Sequence, residues 1–372
     1  MKKTLLATAI VSAFAALGAT STVQAATVYD QDGTRMDIYG RIAMGIRGGG
    51  PEFETDDGQR VEIDNGAEFV DVYSRLGLRL SHEITSDLSA FGHVEWRFRG
   101  DEQDSPGFRE TRQSYLGLKS AQYGTFQAGN FDSFYNQFVS LPFDVYIDEG
   151  LEFAGHPKQS RGDSIGYYTP DLSGFTAFLQ LKHYSERGLA EGVDTTDEGQ
   201  VIAAQGGVRF IDGPLTIGLG FVEDVERSRT GGTGSSDGNG EMIYGLIGSY
   251  DITDQFTARL GYEGRGHNDT YNNNGPTPND SLVGYDTFGL GGTFTTGPWA
   301  FNVDYYHIDR DGHFDNSNSW AAGGYYKVSS NFDVFAELYN GDVPRLGDSQ
   351  VSDVFNDLTD DVYWLTGARY HF

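Results

Sequence analysis

Charged side chains recur at every second residue in several stretches of this sequence, with apolar side chains between them. Arg41 and Arg47 share one parity, and Ile42, Met44 and Ile46 hold the other. Arg75 and Arg79 alternate with Leu76, Leu78 and Leu80, and His93, Glu95, Arg97 and Arg99 alternate with Val94, Trp96 and Phe98. Such residues suit catalysis, metal binding or the sorting of charged solutes. Catalysis finds no support, because no Gly-x-Ser-x-Gly and no His-Glu-x-x-His occurs and no nucleophile–base pairing suggests itself. His93, His183 and His307 lie in strand-like segments at spacings that do not suggest a shared metal. No cofactor is expected. What remains is electrostatics: arrays of fixed charge facing water set ion preference and screen solutes.

The elements that must carry these charges have a period of two. Sixteen segments show it, with cores at 36–48, 69–81, 88–99, 111–119, 123–130, 163–169, 174–184, 199–210, 214–224, 240–250, 255–265, 282–295, 298–308, 318–327, 332–341 and 361–372. Most have about the nine to eleven residues that a tilted membrane strand needs. Connections after even-numbered strands are tight, as at Ile211-Asp212-Gly213-Pro214 and Thr295-Thr296-Gly297-Pro298. Connections after odd-numbered strands are long and polar, as from Gly49 to Glu68 and from Gly341 to Asp360. Short turns on one rim and long loops on the other is the arrangement of an outer-membrane barrel. A charge on the lipid face near the midplane costs about 2–4 kcal/mol, so Arg41 and Arg75 are expected in the lumen. Aromatic residues near strand ends, such as Phe126, Tyr250, Tyr262, Trp299 and Trp320, suit both interfacial girdles and ordinary strand propensity.

The N-terminus reads as an export signal. Met1-Lys2-Lys3 is basic, Leu5 to Ala19 is apolar, and Val23-Gln24-Ala25 ends in the small residues a signal peptidase accepts. Residues 1–25 are therefore expected to be removed, leaving 26–372 as one domain. No other apolar stretch is long enough for a membrane helix, so a membrane protein here is a closed barrel. There are no cysteines, and stability must come from hydrogen bonds and packing. The net charge of −28 argues against nucleic acid and against an anionic lipid surface. It favours cations as partners, while a saline habitat or a merely soluble acidic surface accounts for it equally.

The segments Ala26-Thr27-Val28-Tyr29-Asp30-Gln31-Asp32-Gly33-Thr34, Met36-Asp37-Ile38-Tyr39-Gly40-Arg41, Ser74-Arg75-Leu76-Gly77 and Gly367-Ala368-Arg369-Tyr370-His371-Phe372 resemble the general trimeric porins of Gram-negative bacteria. The resemblance spans the chain after residue 25. It implies an all-β, 16-stranded antiparallel transmembrane β-barrel with short periplasmic turns, long extracellular loops and an inward-folded third loop. It also implies a homotrimer in the outer membrane, with lipid and lipopolysaccharide around it and passive diffusion of ions and small hydrophilic solutes through it. The third loop falls at Phe131 to about Gly162, where Phe134, Tyr135, Phe138, Phe143 and Tyr146 can pack against a wall. Asp148-Glu149-Gly150-Leu151-Glu152-Phe153-Ala154-Gly155 is similar to the family's constriction motif, with Leu151, Ala154 and His156 departing from it. By that match Asp148 and Glu152 form the acidic side of the constriction. Arg41, Arg75, Arg112 and Arg161 fall on the family's basic wall positions, and alternation independently supports the first two. Phe372 corresponds to the assembly signal. The mechanism implied is a transverse field between loop acids and wall arginines, with a modest cation preference.

Other readings stay open at this level. A solute-specific channel would use Tyr167, Tyr168, Tyr305 and Tyr306, although adjacent aromatics in a strand face opposite sides. An outer-membrane enzyme lacks a site. An adhesin would use Arg161-Gly162-Asp163, although Arg161 also matches a wall position. Arg75 and Arg112 also suit structural pairing with loop carboxylates. A soluble secreted β-protein would need neither a terminal aromatic signal nor alternating loop lengths.

Overall fold

The alternation becomes a closed wall of antiparallel strands in the computed structural model. Residues 25–51, 53–56, 59–62, 64–103, 107–155, 162–184, 201–225, 240–267, 283–311, 316–340 and 361–372 are described. Residues 1–24 of the expected signal peptide, Arg161 and most of the long outer connections lie outside them. The described strands begin with β1 (Ala26–Gln31), β2 (Thr34–Gly49), β3 (Phe53–Asp56), β4 (Gln59–Glu62), β5 (Glu68–Asp71), β6 (Arg75–Glu83) and β7 (Leu88–Arg97). They continue with β8 (Glu110–Ser120), β9 (Gly124–Asn130), β10 (Asp163–Tyr168), β11 (Phe175–Tyr184), β12 (Val201–Asp212), β13 (Leu215–Glu223) and β14 (Met242–Asp251). The last are β15 (Phe256–Arg265), β16 (Tyr285–Thr296), β17 (Trp299–Arg310), β18 (Ser317–Lys327), β19 (Phe332–Asn340) and β20 (Val362–His371).

β3 and β4 make a small separate hairpin. From β6 to β20 each strand pairs antiparallel with the next in sequence. β20 then returns to β2, with Arg41 opposite His371 and Gly49 opposite Tyr363, and this pairing closes the ring. β5 and β6 are two parts of one stave against β2, which makes sixteen staves. β1 turns back on β2 through Asp32–Gly33, both at positive φ, as a tight two-residue hairpin requires. It places Ala26 opposite Ile38 in the lane that Phe372 leaves beside Gly40. Closure leaves no sheet edge between β2 and β20, the condition for strands to sit in lipid.

The barrel is apolar outside and polar inside, the reverse of a soluble domain. Leu116, Leu260 and Val303 are 68, 67 and 61% exposed, whereas Glu263, Asp304 and Gln205 are fully enclosed. Ion pairs neutralise much of the inner charge: Arg259 reaches Asp304 at 2.6 Å, Arg369 reaches Asp333 at 2.8 Å, and Arg265 meets Asp224. Breaking such a pair strands its partner, so each fixes strand register as well as charge.

Besides an irregularity at Thr27–Tyr29 of β1, two β-bulges interrupt the alternation in the described staves, and alternation alone does not foresee them. Between Met44↔Asp71 and Arg41↔Arg75, β2 contributes two residues and the facing stave three, Val72, Tyr73 and Ser74. Tyr73 takes φ +61°, a conformation that costs a non-glycine residue about 1–3 kcal/mol. Parity flips across it: Phe69 faces outward at 61% exposed, whereas Arg75, of the same odd parity, turns inward to Glu95. In the other bulge, Glu95 faces Gln113 while Trp96 faces Thr111, so Arg112 is the extra residue. Bulges of this kind re-aim side chains.

Candidate functional site

Residues 131–155 form the connection after β9 and fold into the barrel. A π-helical turn at Asn136–Ser140 and a 3₁₀ turn at Leu141–Phe143, with Pro142 in it, shape the first half. Phe131, Phe134, Tyr135, Phe138, Phe143 and Phe153 are buried in one cluster with Phe178 of β11, Val222 of β13, Ile243 and Ile247 of β14 and Tyr306 of β17. Phe138 stacks on Phe178 at 5.0 Å, and Phe153 meets Phe143 edge-on at 5.1 Å. Aromatic faces bury large area at low entropic cost, so this half of the loop is bound to the inner wall. Of the five aromatics singled out from the sequence, Phe134, Tyr135, Phe138 and Phe143 are buried there and Tyr146 is buried in a separate cluster with Val145 and Ala321.

Two acids of the wall hold the loop backbone. Glu263 accepts hydrogen bonds from Tyr135 Oη at 2.7 Å and from the Gly155 amide at 2.9 Å. Glu337 accepts the amides of Ile147 at 2.7 Å and Asp148 at 3.2 Å, and also the Tyr325 hydroxyl. The loop therefore lies against β11–β19. Its contacts with the remaining wall include Asp132, which reaches Arg112 Nη2 at 2.9 Å, Asp148, which accepts a hydrogen bond from the Tyr73 hydroxyl, and Ile147, which packs with Ala43 and Val72.

The facing wall is basic. Arg41 stands opposite Arg75, and Arg75 opposite Arg97, in one row across β2, β6 and β7. Arg41 is 6% exposed and donates from Nε to the Tyr73 carbonyl at 3.0 Å. Arg112, brought inward by its bulge, reaches Glu95 at 2.7 Å, and Arg75 reaches the same carboxylate at 3.5 Å. One enclosed acid thus holds two of the expected wall arginines. Glu95 is itself held by Tyr39, whose hydroxyl donates to it at 2.7 Å. Because that proton is committed, Tyr39 Oη accepts from His93 Nε2, and His93 Nδ1 lies 2.9 Å from Tyr115 Oη. His93 thus links the two tyrosines within this chain of hydrogen bonds. Among the described residues no cluster of acids or histidines is placed to hold a metal.

The expected residues divide as follows. Arg41, Arg75 and Arg112 are on one wall, and Asp148 is linked to it through Tyr73. Glu152 accepts from Ser319 of β18 at 3.3 Å. Arg161 lies outside the described residues. Phe372 exchanges backbone hydrogen bonds with Gly40 at 2.9 and 3.1 Å, and its ring lies where a side chain at position 40 would stand. Sequence reading passed over Tyr73, Glu95, Glu263 and Glu337. Glu95, Glu263 and Glu337 were visible on the polar parity as lumen charges, and Tyr73 carried no signal short of the fold.

Comparisons with known proteins agree with this architecture. A family model described as Gram-negative porin matches residues 12–344. A monosaccharide porin of a Halomonas species and the major outer membrane protein of Halomonas elongata are each 27% identical over all of this chain and 91% of their own. An outer membrane porin OmpD of Salmonella typhimurium is 32% identical over 42% of this chain and 37% of its own. Among solved structures, Salmonella typhi OmpF aligns with TM-score 0.64 at 16% identity, covering 93% of this chain and all of its own. The anion-selective porin of Comamonas acidovorans aligns with TM-score 0.65 at 17% identity, covering 91% and all of its own. The chain belongs to the Gram-negative porin family: it is a β-barrel channel of the outer membrane through which solutes diffuse, and not an enzyme.

Proposed function

We propose that ions and small hydrophilic solutes pass by diffusion through a constriction where the loop acids Asp148 and Glu152 face the wall arginines Arg41, Arg75, Arg112 and Arg161. The observation that carries this reading is the Tyr73 bridge: one residue holds Asp148 by its hydroxyl and Arg41 by its carbonyl. Opposite charges fixed on two sides of a narrow aqueous gap order the water between them, and a solute must exchange its hydration for that field. The net charge of −28 favours cations at the mouths, so the preference is weakly cationic. Export with cleavage after Ala25, assembly through Phe372, a homotrimer and contact with lipopolysaccharide complete the reading. A trimer form is known for the structurally similar Vibrio cholerae OmpT.

A second reading, a solute-specific channel, draws support from the relative named a monosaccharide porin. Planar-bilayer conductance of detergent-extracted protein under a KCl gradient tests both. Large steps with a cation-side reversal potential, lowered in Asp148→Asn, are expected. An anion-side reversal removes the role of the loop acids. Block by a monosaccharide at low concentration favours the specific channel, and folded, inserted protein without conductance overturns both.

A further inference from the structure

Tyr73 joins the loop to the wall, and its own geometry shows how that link is held. It sits in the left-handed region at φ +61°, inside a bulge that inverts the parity of its stave. The bulge is built to stay. Asp71 Oδ1 accepts the Ser74 amide at 2.8 Å and Ser74 Oγ accepts the Ala43 amide at 2.9 Å, while the Val72 amide donates to the Ala43 carbonyl at 2.8 Å. The amides of Val72, Ser74 and Ala43 thus all find acceptors at the bulge, as buried polar groups require. A regular strand continued from Phe69 and Asp71, both outward, would turn Tyr73 to lipid. The bulge turns it to the loop.

All three parts of Tyr73 are used. Its hydroxyl donates to Asp148 Oδ1, its ring lies 4.7 Å from the Arg97 guanidinium carbon, and its carbonyl takes Arg41 Nε. Glu337 fixes the backbone of Asp148 from the opposite side, and the Tyr73 hydroxyl holds its carboxylate. We propose that Tyr73 is the positioning residue for the pore's selectivity: it keeps the Asp148 carboxylate aimed at the gap and away from direct pairing with the wall arginines. This rests on the constriction reading given above. Arg47 is the competitor: it pairs with Glu68 at 2.5 Å, and its guanidinium is also within electrostatic reach of Asp148. A carboxylate released by Tyr73 swings to a guanidinium and its charge is spent in a salt bridge, because a charge-assisted pair is the stronger contact.

The test is the cation-to-anion permeability ratio of Tyr73→Phe, Asp148→Asn and the double variant in planar bilayers, with folding confirmed by heat-modifiable mobility. Tyr73→Phe keeps the ring on Arg97 and removes only the hydroxyl. It is expected to move the ratio at least half of the way that Asp148→Asn moves it, with the double variant equal to Asp148→Asn. A wild-type ratio in Tyr73→Phe, or additive shifts in the double variant, overturns the proposal while leaving the constriction reading standing. An unchanged ratio in Asp148→Asn defeats the constriction reading itself, and this inference with it. If Tyr73→Phe does not insert, Asp148→Glu takes its place: it keeps the charge but not the geometry. A ratio shifted toward that of Asp148→Asn supports the proposal, and an unshifted one overturns it.

Discussion

Asp148 donates its backbone amide to Glu337 Oε2 at 3.2 Å, across 189 residues of sequence, while the neighbouring Ile147 amide takes Oε1 at 2.7 Å. A single carboxylate on β19 therefore serves as a two-pronged acceptor for the tip of the inward loop.

Removing that acceptor should free the tip. In Glu337→Ala the two amides lose their partner, and each buried donor left unsatisfied costs about 1–3 kcal/mol. The aromatic cluster and the sixteen staves remain, so the barrel still forms. Single-channel recordings are expected to show a larger mean conductance and higher open-channel noise than wild type. Glu337→Gln, which can accept at only one oxygen, should fall between. A quiet channel of wild-type conductance in Glu337→Ala would show that the amides are not what holds the loop.

A second prediction concerns the space that the wall leaves for the loop. Gly261 and Gly289 stand opposite each other on β15 and β16. The Phe153 ring occupies the room their missing side chains provide, and a Cβ at Gly289 would lie 2.8 Å from Phe153 Cζ. Gly261→Val forces Phe153 off the wall, and overpacking of this kind costs about 1–3 kcal/mol. The expected result is a displaced loop and altered conductance without loss of membrane insertion. Adding Phe153→Ala to Gly261→Val should bring conductance back toward wild type, because the clash has then gone. If the double variant behaves no better than Gly261→Val, the glycine pair does not act through Phe153.

The strands were legible because a residue's parity alone decides whether it meets lipid or water, and the cost of error is high. Arg41 and Arg75 followed that rule. Arg112 did not: on strict alternation it shares the parity of Ser114 and the outward Leu116, and only an extra residue in β8 carries it inward. Tyr73 was hidden for the same reason, since one inserted residue changes neither composition nor period on either side. The loop's aromatics announced a wall contact by their type. The acids that receive the loop, Glu263 and Glu337, looked like any other lumen charge. Their partners are backbone amides 108 to 190 residues away, and amides carry no sequence signature. Glu152 matched a motif by spelling, but its neighbour is Ser319 of β18.

Asp144, inside the loop, supplies the pH dependence. Its carboxyl is partly buried, with the Asn136 amide donating to it at 3.1 Å. Burial pushes its pKa up to about 7, the nearby Asp132 charge adds to the rise, and Arg112 opposes it. In the unfolded chain the same group titrates near 3.9. Between these values the folded state holds a proton that the unfolded state has lost, so docking is favoured at low pH and weakens as pH rises from about 4 to about 7. Above about 7 the ionised group is equally charged in both states and the effect levels off. A shift of this size bounds the contribution at on the order of 4 kcal/mol. Asp144→Asn keeps the shape and cannot ionise. The difference in unfolding temperature between the variant and wild type, measured in detergent, is therefore expected to grow in the variant's favour from pH 4 to pH 7 and stay constant beyond. A difference that does not change with pH would mean that Asp144 is ionised where it lies and that water reaches it.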